Sequence, residues 1–224
     1  MEKKPVAVVL MSGGMDSTVL AYHLKEQGFD VDLLTVDYGQ RHIREADAAA
    51  DIARELGGVR HDIVNLSSVR DLISSSALTG DTPVPHGHYT EDSMKATVVP
   101  NRNMIMLSLA AGVAASRGAK AVATAIHAGD HAVYPDCRPR FASAMREAIR
   151  LGMEGLWSIN LMTPFVLFTK TDIARRGGEL GVPFGLTWSC YEGGEKHCGL
   201  CGTCVERKEA LRDSGVGDPT VYAN

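Results

Sequence analysis

The feature that most constrains the fold is a Gly-Gly turn between a short apolar run and a segment with helical character. The chain reads Val6-Ala-Val-Val-Leu-Met11, then Ser12-Gly-Gly-Met-Asp-Ser-Thr18, and continues as an apolar-rich segment from Val19. Six consecutive apolar residues predict a strand that is buried on both faces, as in a parallel sheet. The turn brings backbone N–H groups, hydroxyls and a helix N-terminus to one place, which favours phosphate binding. The segment therefore predicts a strand, a nucleotide-binding turn and a helix in succession.

Strand and helix patterns alternate along the rest of the chain. After a helix over residues 17–27, further strands are predicted over 31–36, 61–66, 119–126 and 159–162. Further helices are predicted over 43–56, 104–117, 140–154 and 205–211. This alternation predicts an α/β fold with a doubly wound, mostly parallel, Rossmann-like sheet. We expect residues 1–186 to form this nucleotide-binding α/β domain and residues 187–224 to form a small, cysteine-containing segment packed on it.

Composition and charge favour a small substrate over nucleic acid or a membrane surface. The 224 residues carry 23 Lys and Arg against 27 Asp and Glu, for a net charge of −4. This balance gives no overall electrostatic basis for binding nucleic acid or an anionic membrane. The apolar run near the N-terminus is too short for a signal segment, and no run approaches the ~20 apolar residues of a membrane span. We expect a cytoplasmic protein without nucleic-acid or membrane partners.

A long segment without periodicity interrupts the pattern between the third strand and the next helix. Residues 74–100 contain serines, glycines, prolines and histidines but no sustained helical or strand spacing. Loops of this length in a compact domain are usually functional or disordered. Two interpretations stay open, a lid over a bound substrate and a disordered insertion.

Four of the five cysteines are crowded into fifteen residues near the C-terminus. Cys198, Cys201 and Cys204 follow one another at intervals of three, and Cys190 lies eight residues upstream. Four thiolates would close a tetrahedral structural zinc site and leave no open position for catalysis. The remaining cysteine, Cys137, is isolated, and a lone cysteine is more often a small buried residue than a nucleophile.

An iron–sulfur cluster is the alternative occupant of this cysteine group, since overlapping Cys-x-x-Cys steps also occur in ferredoxins. Zinc is favoured because the fourth cysteine precedes the other three and no proline follows them. His197 could replace one thiolate, but the four cysteines already suffice for a closed site. Visible absorption near about 400 nm would indicate iron and contradict zinc.

Two properties of the phosphate-binding turn limit the reactions that it can serve: the motif ending that it lacks and the family loop that it resembles. It has no Gly-Lys-Ser/Thr ending, so it is not the common P-loop. Ser12-Gly-Gly-Met-Asp-Ser17 after a first strand resembles the loop of the ATP pyrophosphatase (PP-loop) superfamily. That resemblance implies binding of the β,γ-pyrophosphate of ATP, its release, and transfer of AMP to a substrate oxygen.

Nearly the whole chain resembles one family of this superfamily, the 7-cyano-7-deazaguanine synthases. Besides the first turn, the resemblance depends on motifs in a fixed order: Asp37-Tyr-Gly-Gln-Arg-His42, Val99-Pro-Asn-Arg-Asn103, Tyr134-Pro-Asp-Cys-Arg-Pro139, Thr187-Trp-Ser-Cys190 and His197-Cys-Gly-Leu-Cys-Gly-Thr-Cys204. It implies an adenine nucleotide α-hydrolase-like fold and a carbon–nitrogen ligase of queuosine biosynthesis. The implied reactants are 7-carboxy-7-deazaguanine, ammonia and ATP with Mg²⁺, and the implied protein is a homodimer with one structural zinc ion.

The resemblance also assigns roles to residues of this sequence. Asp16, Arg102 and Lys170 are expected to act in catalysis, and Arg41 is a further candidate for charge neutralisation. Asp130 and Asp136 are candidates for binding magnesium or the guanine-like edge. The residues expected to hold ATP are Leu10, Met11, Ser12, Gly13, Gly14, Met15, Asp16, Ser17, Thr18, Val19, Leu20 and Asp37.

Two other functions stay open at this stage. A PP-loop enzyme could adenylate a different substrate, in tRNA thiolation or in conjugation of the deazaguanine to a protein. Sulfur transfer would favour a catalytic cysteine pair and a basic RNA-binding surface, and the net charge of −4 argues against the latter. A zinc-knuckle nucleic-acid-binding module would carry aromatic and basic residues between its ligands. Gly199, Leu200, Gly202 and Thr203 offer neither.

Overall fold

In the computed structural model, the residues described are 3–39, 44–68, 76, 84–88, 95 and 97–224. They form a parallel five-stranded sheet. Its strands are β1 (Val6–Leu10), β2 (Asp30–Asp37), β3 (His61–Asn65), β4 (Ala121–Ala123) and β5 (Asn160–Met162). The spatial order is β3-β2-β1-β4-β5, so the chain reverses its direction of winding between β1 and β4. Ligands of doubly wound sheets bind at such a reversal, beyond the carboxyl ends of the strands.

Helices cover both faces of the sheet, and this confirms the doubly wound prediction. Those within the described ranges are α1 (Met15–Glu26), α2 (Arg44–Glu55), α3 (Arg102–Arg117), α4 (Pro139–Gly152), α5 (Lys170–Glu179) and α6 (Gly202–Ser214). One face packs against apolar residues of α1, α2, α5 and α6, and the other against α3 and α4. The central strand alternates between these cores, because Val9 faces the first and Val8 the second.

The sequence prediction is wrong in its bounds for β4 and α6, and, as the next paragraph describes, it missed α5. The strand predicted over 119–126 is only Ala121–Ala123. The Ala119 N–H donates to the Ala114 carbonyl oxygen and so belongs to the end of α3. After Ala123, the chain leaves the strand, and the residues that follow line the cavity described below. The last helix starts at Gly202 instead of residue 205, because the N–H groups of Cys204 and Val205 already donate to the Cys201 carbonyl oxygen.

Helix α5 was not predicted at all. Its residues are mostly polar or charged, and Gly177 and Gly178 lie in its last turns, where glycine disfavours helix. The signal that could have located it is the capping box at its start. The Thr169 side chain accepts from the Asp172 N–H, and the Asp172 carboxylate accepts from the Thr169 N–H. Within the described ranges, no helix combines the length and apolar content that crossing a membrane would need.

Candidate active site

The Gly-Gly turn between β1 and α1 is held in shape by its own hydroxyl groups. Ser12 Oγ lies 3.0 Å from Ser17 Oγ and accepts from the Gly14 N–H at 3.2 Å. The Ser17 hydroxyl also accepts from the Ser12 N–H at 3.2 Å. The turn therefore closes on itself in front of the N-terminus of α1, where the helix dipole favours an anion.

Gly13 brings this turn into direct contact with helix α2. Its φ of +78° lies in the left-handed region that favours glycine. A Cβ atom at this position would lie 2.2 Å from the carbonyl oxygen of Glu45 and 2.8 Å from the Ala49 nitrogen. The Gly13 carbonyl oxygen accepts from the Trp188 N–H at 2.9 Å. The turn is thus packed between the start of α2 and the chain that leads to the cysteine group.

A cavity of about 250 Å³ opens beside the turn, at the reversal between β1 and β4. Arg102 and Lys170, predicted from separate parts of the sequence, both line it. So do most residues of the predicted ATP site, namely Leu10, Met11, Ser12, Gly14, Met15, Asp16 and Ser17. The other five predicted residues, Gly13, Thr18, Val19, Leu20 and Asp37, are not among its lining residues. Asp37 instead accepts from the Gly39 N–H at 2.9 Å.

A cluster of charged side chains lies at the α1 side of the cavity. Lys170 Nζ is 3.0 Å from Glu206 Oε2 and 3.6 Å from Asp16 Oδ2. His127 Nε2 lies 3.8 Å from Asp16 Oδ2 and 3.6 Å from Asp130 Oδ2. Burial disfavours the charged lysine, but Asp16 and Glu206 outweigh it and raise the pKa of Lys170. Asp16 Oδ1 is buried without a hydrogen-bond partner in the described structure, so it is free to bind a ligand or cation.

The opposite wall carries Arg102, Tyr38 and Glu45. The Arg102 guanidinium donates to the Tyr38 hydroxyl at 3.3 Å and lies over its ring. Burial raises the pKa of Glu45 from 4.5 to about 7, and the nearby Arg102 only partly opposes this rise. The cavity thus has a cationic lysine on one side and, on the other, a carboxyl group that titrates near neutral pH.

Two residues of the Tyr134–Pro139 motif have roles in packing. Asp136 Oδ2 accepts from the Asn103 N–H at 3.0 Å and so caps the start of α3. Cys137 borders the cavity but is buried, and its Sγ accepts from the Asn103 side-chain amide at 3.2 Å. Burial raises the pKa of this thiol well above its ordinary value, which suppresses the thiolate that a nucleophile requires.

The four C-terminal cysteines converge as the sequence predicts. The sulfur atoms of Cys190, Cys198, Cys201 and Cys204 all lie within 4.8 Å of one another. Cys198 Sγ and Cys204 Sγ are 3.9 Å apart, close to the roughly 3.8 Å expected between sulfurs of a tetrahedron with Zn–S bonds of about 2.3 Å. This all-sulfur, largely buried set therefore fits a closed zinc site. His197 is not part of the group; its Nε2 accepts from the Ser189 N–H at 3.1 Å.

The cysteine group is continuous with the cavity and with part of the long loop. Trp188, Ser189 and Tyr191, which flank Cys190, line the cavity. Of the predicted loop 74–100, the structure describes residues 76, 84–88, 95 and 97–100, and Val84 packs against the cysteines. The rest of that loop, and the candidate Arg41, lie outside the described residues.

Sequence reasoning missed several residues of the cavity, namely Tyr38, Glu45, Trp188, Ser189, Tyr191, Thr203 and Glu206. Tyr38 and Trp188 lie inside motifs that were noted without assigning them a role. Glu45 follows its motif by three residues, in the first turn of a predicted helix, where an acidic residue is ordinary. Glu206 follows Cys204 by two residues and is unremarkable in sequence. Only the packing of α2 and α6 beside the turn identifies these two.

Comparisons with known proteins agree on the family. The family model described as "Queuosine biosynthesis protein QueC" matches residues 6–215. A 7-cyano-7-deazaguanine synthase of Rhizobium rhizogenes is 50% identical over 215 residues, which cover 96% of this chain and 91% of the relative. The corresponding protein of Paracoccus denitrificans is 51% identical over 215 residues, covering 96% of this chain and 92% of that relative.

Solved structures share the fold at much lower identity. The 4-thiouridine synthetase in a complex with RNA and bound ATP superposes with a TM-score of 0.53 at 18% identity, over 94% of this chain and 51% of that one. A protein described as a predicted subunit of tRNA methyltransferase from Methanocaldococcus jannaschii gives a TM-score of 0.50 at 19% identity, over 78% of this chain and 75% of that one. These likenesses concern the α/β architecture alone.

Proposed function

The chain belongs to the QueC family of queuosine biosynthesis proteins, and from this premise we propose that it converts 7-carboxy-7-deazaguanine and ammonia to 7-cyano-7-deazaguanine. The curated relatives are named 7-cyano-7-deazaguanine synthases, and the chain is accordingly an ATP-dependent ligase of this pathway. The observation that carries the proposal is the pyrophosphate-binding turn at the head of a cavity that Arg102 and Lys170 both line.

The chemistry requires two activations of oxygen. A carboxylate resists ammonia because its carbon is electron-rich and its leaving group would be oxide. Transfer of AMP to a carboxylate oxygen, with release of pyrophosphate, creates a good leaving group, and ammonia then displaces AMP to give the amide. A second transfer of AMP, to the amide oxygen, allows AMP to leave again while nitrogen loses its protons and the nitrile forms.

Different residues of the cavity would serve different parts of this reaction. Ser12, Gly14 and Ser17 would hold the departing pyrophosphate with hydroxyl and N–H groups. Lys170 and Arg102 would neutralise charge that develops on the transferring phosphoryl group, a contribution that is often among the largest in such reactions. Asp16, with its unpartnered buried oxygen, and Asp130 would hold the Mg²⁺ that accompanies ATP. When bound, that ion neutralises the charge of the triphosphate.

The cysteine group would hold one structural zinc ion. Four thiolates leave no open coordination position, so we assign no chemical step to the metal. Its role is to fix the segment around Cys190, whose neighbours Trp188 and Tyr191 form part of the cavity wall. A homodimer and a cytoplasmic location are further parts of this proposal and derive from the family resemblance.

Sulfur transfer to tRNA is disfavoured by the position of the cysteines. The sequence has five, and four of them converge in the metal-type group. The fifth, Cys137, is buried, and its pKa is raised. No cysteine pair is therefore placed to carry sulfur at the cavity.

The test is to count AMP against product. Purified protein is supplied with ATP, ammonium and 7-carboxy-7-deazaguanine, and AMP and nitrile are quantified together. The proposal expects two AMP per nitrile and no nitrile without ammonium. One AMP or fewer per nitrile would rule out the second activation. AMP release only with tRNA and a sulfur donor would replace the proposed substrate.

A further inference from the structure

Glu45 is an ionisable side chain of the cavity to which the chemistry described so far assigns no role. Glu45 lies in the first turn of α2 and lines the cavity. Its backbone carbonyl is packed against Gly13, so the start of this helix is fixed relative to the phosphate-binding turn. Glu45 is therefore held at a defined position beside the site of AMP transfer.

Glu45 differs from the other carboxylates of the cavity in being unpaired. Within the described part of the chain, no group donates a hydrogen bond to its carboxylate or forms an ion pair with it. Asp16 and Glu206, in contrast, both lie within ion-pair distance of Lys170. An unpaired carboxylate at a cavity wall keeps both oxygens available to a bound substrate.

The surroundings of Glu45 raise its pKa to a value that suits proton transfer at neutral pH. The groups that face it from the described residues are the Arg102 guanidinium on α3 and the Tyr38 hydroxyl after β2. Burial outweighs the attraction of Arg102, and the pKa of Glu45 rises to about 7. Proton transfer is most efficient when the pKa of the catalytic group lies near the working pH.

Four other titratable groups of the same cavity are poorly suited to accept a proton. Burial raises the pKa values of Cys137, Tyr38 and Tyr134, so these groups stay protonated at neutral pH. The neighbouring carboxylates raise the pKa of Lys170, which keeps it cationic. Glu45 combines an available lone pair with a pKa close to neutral.

The reaction must remove protons from nitrogen at both stages. When ammonia attacks the adenylated carboxyl carbon, a C–N bond forms, AMP leaves with the C–O electron pair, and the nitrogen must lose one N–H proton. After AMP is transferred to the amide oxygen, the nitrogen must lose both remaining protons as the C–O bond breaks and the nitrile forms. Each proton needs an acceptor and is then passed to solvent.

We propose that Glu45 is the general base that takes these N–H protons, while the phosphate-binding turn, Lys170 and Arg102 carry out AMP transfer. This role depends on the proposed function, since it concerns the nitrogen steps of that reaction. It separates the cavity into a transfer side next to α1 and a proton-accepting side formed by the start of α2.

The test uses Glu45→Gln, which keeps the shape of the side chain and removes its basicity. Two rates are compared with those of the unmodified protein. The first is pyrophosphate exchange into ATP in the presence of 7-carboxy-7-deazaguanine, which reports AMP transfer. The second is conversion of the corresponding amide to the nitrile, which needs no ammonia. Exchange is expected to change less than about threefold, whereas nitrile formation is expected to fall at least about 10²-fold.

The pH profile of nitrile formation supplies a readout that a structural role would not move. In the unmodified protein, the rate is expected to fall below about pH 7 as Glu45 becomes protonated. Glu45→Gln should lose this acidic limb. Glu45→Asp, which keeps a carboxylate, should retain the limb at a reduced rate, and it serves in place of Glu45→Gln if that variant does not fold.

Asp47→Asn is the matched control, because Asp47 lies in the same first turn of α2 but is exposed. It removes the same charge from the helix N-terminus and should leave both rates unchanged. Equal losses of exchange and nitrile formation in a folded Glu45→Gln protein would assign Glu45 to substrate binding and overturn the proposal, as would unchanged nitrile formation. Failure of the unmodified protein to release AMP with either substrate would refute the proposed function instead.

Discussion

Replacing Gly13 by alanine tests whether close packing of the Gly-Gly turn against α2 shapes the site. Two separate costs are expected. The φ of +78° strains any residue with a Cβ atom, by about 1–2 kcal/mol. The added methyl group would also meet the Glu45 carbonyl oxygen at 2.2 Å and the Ala49 nitrogen at 2.8 Å. Both atoms belong to the backbone, so helix α2 itself would have to move.

Gly28→Ala is the matched control for this variant. Gly28 also has a positive φ, +90°, but a Cβ atom there would have nothing within 4 Å. The Gly28→Ala variant is therefore destabilised by backbone strain alone. Forcing extra atoms into a packed site costs typically about 1–3 kcal/mol more. We expect Gly13→Ala to lower the free energy of unfolding by about 2–5 kcal/mol and Gly28→Ala by about 1–2 kcal/mol.

The assay is urea unfolding of both variants and the unmodified protein, supported by thermal melting. For a chain of this size, each 1 kcal/mol lowers Tm by about 2–4 °C, so the additional loss at Gly13 corresponds to roughly 2–12 °C. Moving α2 would displace Glu45, and nitrile formation should therefore fall in Gly13→Ala but not in Gly28→Ala. Equal unfolding free energies for the two variants would refute the packing argument.

Three further predictions concern the charges and the metal. Lys170→Met should slow pyrophosphate exchange by at least about 10²-fold, as measured with 7-carboxy-7-deazaguanine, because it removes a cation from the transfer site; a smaller loss would remove Lys170 from that role. Metal analysis should find one zinc per chain without absorption near about 400 nm, and Cys201→Ser should lower both zinc content and Tm; iron in the purified protein would contradict this. Because the folded state raises the pKa of Glu45 from 4.5 to about 7, it retains a proton that the unfolded chain has lost. The stability of the unmodified protein relative to Glu45→Gln should thus fall as the pH rises from about 4.5 to 7. In urea titrations this loss should be at most about 3 kcal/mol.

The parts of the fold that could be predicted from sequence are those with strong local signals. The apolar run from Val6, the turn at Ser12–Thr18 and the cysteine spacing each fix local structure through a few neighbouring residues. The doubly wound, parallel character of the sheet followed from the alternation of strands and helices, whereas the strand order β3-β2-β1-β4-β5 came from the structure. Helix α5 gave only one local signal, the capping box at Thr169 and Asp172, since its polar residues and paired glycines mask an amphipathic pattern that tertiary packing stabilises.

The cavity residues that were predicted came from recognised motifs or from the family resemblance. Lys170 was expected there, but the ion pair that it forms with Glu206 depends on how α5 packs against α6, and no spacing in the sequence encodes that contact. Glu45 was missed for a related reason. Its distinctive properties, a position at the cavity wall and the absence of a described partner, arise only when α2 is placed against Gly13.

Arg207 shows why the cysteine segment and the ATP-binding fold cannot be treated as independent parts. This side chain is completely buried on α6, three residues after Cys204. Its guanidinium donates to Thr187 Oγ1 at 2.7 Å, to Thr220 Oγ1 at 2.8 Å and to the Phe184 carbonyl oxygen at 2.7 Å. A buried cation of this kind is stable only while its acceptors stay in place. Since Trp188, next to Thr187, donates to the Gly13 carbonyl oxygen, an ordered cysteine group stabilises the Gly-Gly turn through the same short segment.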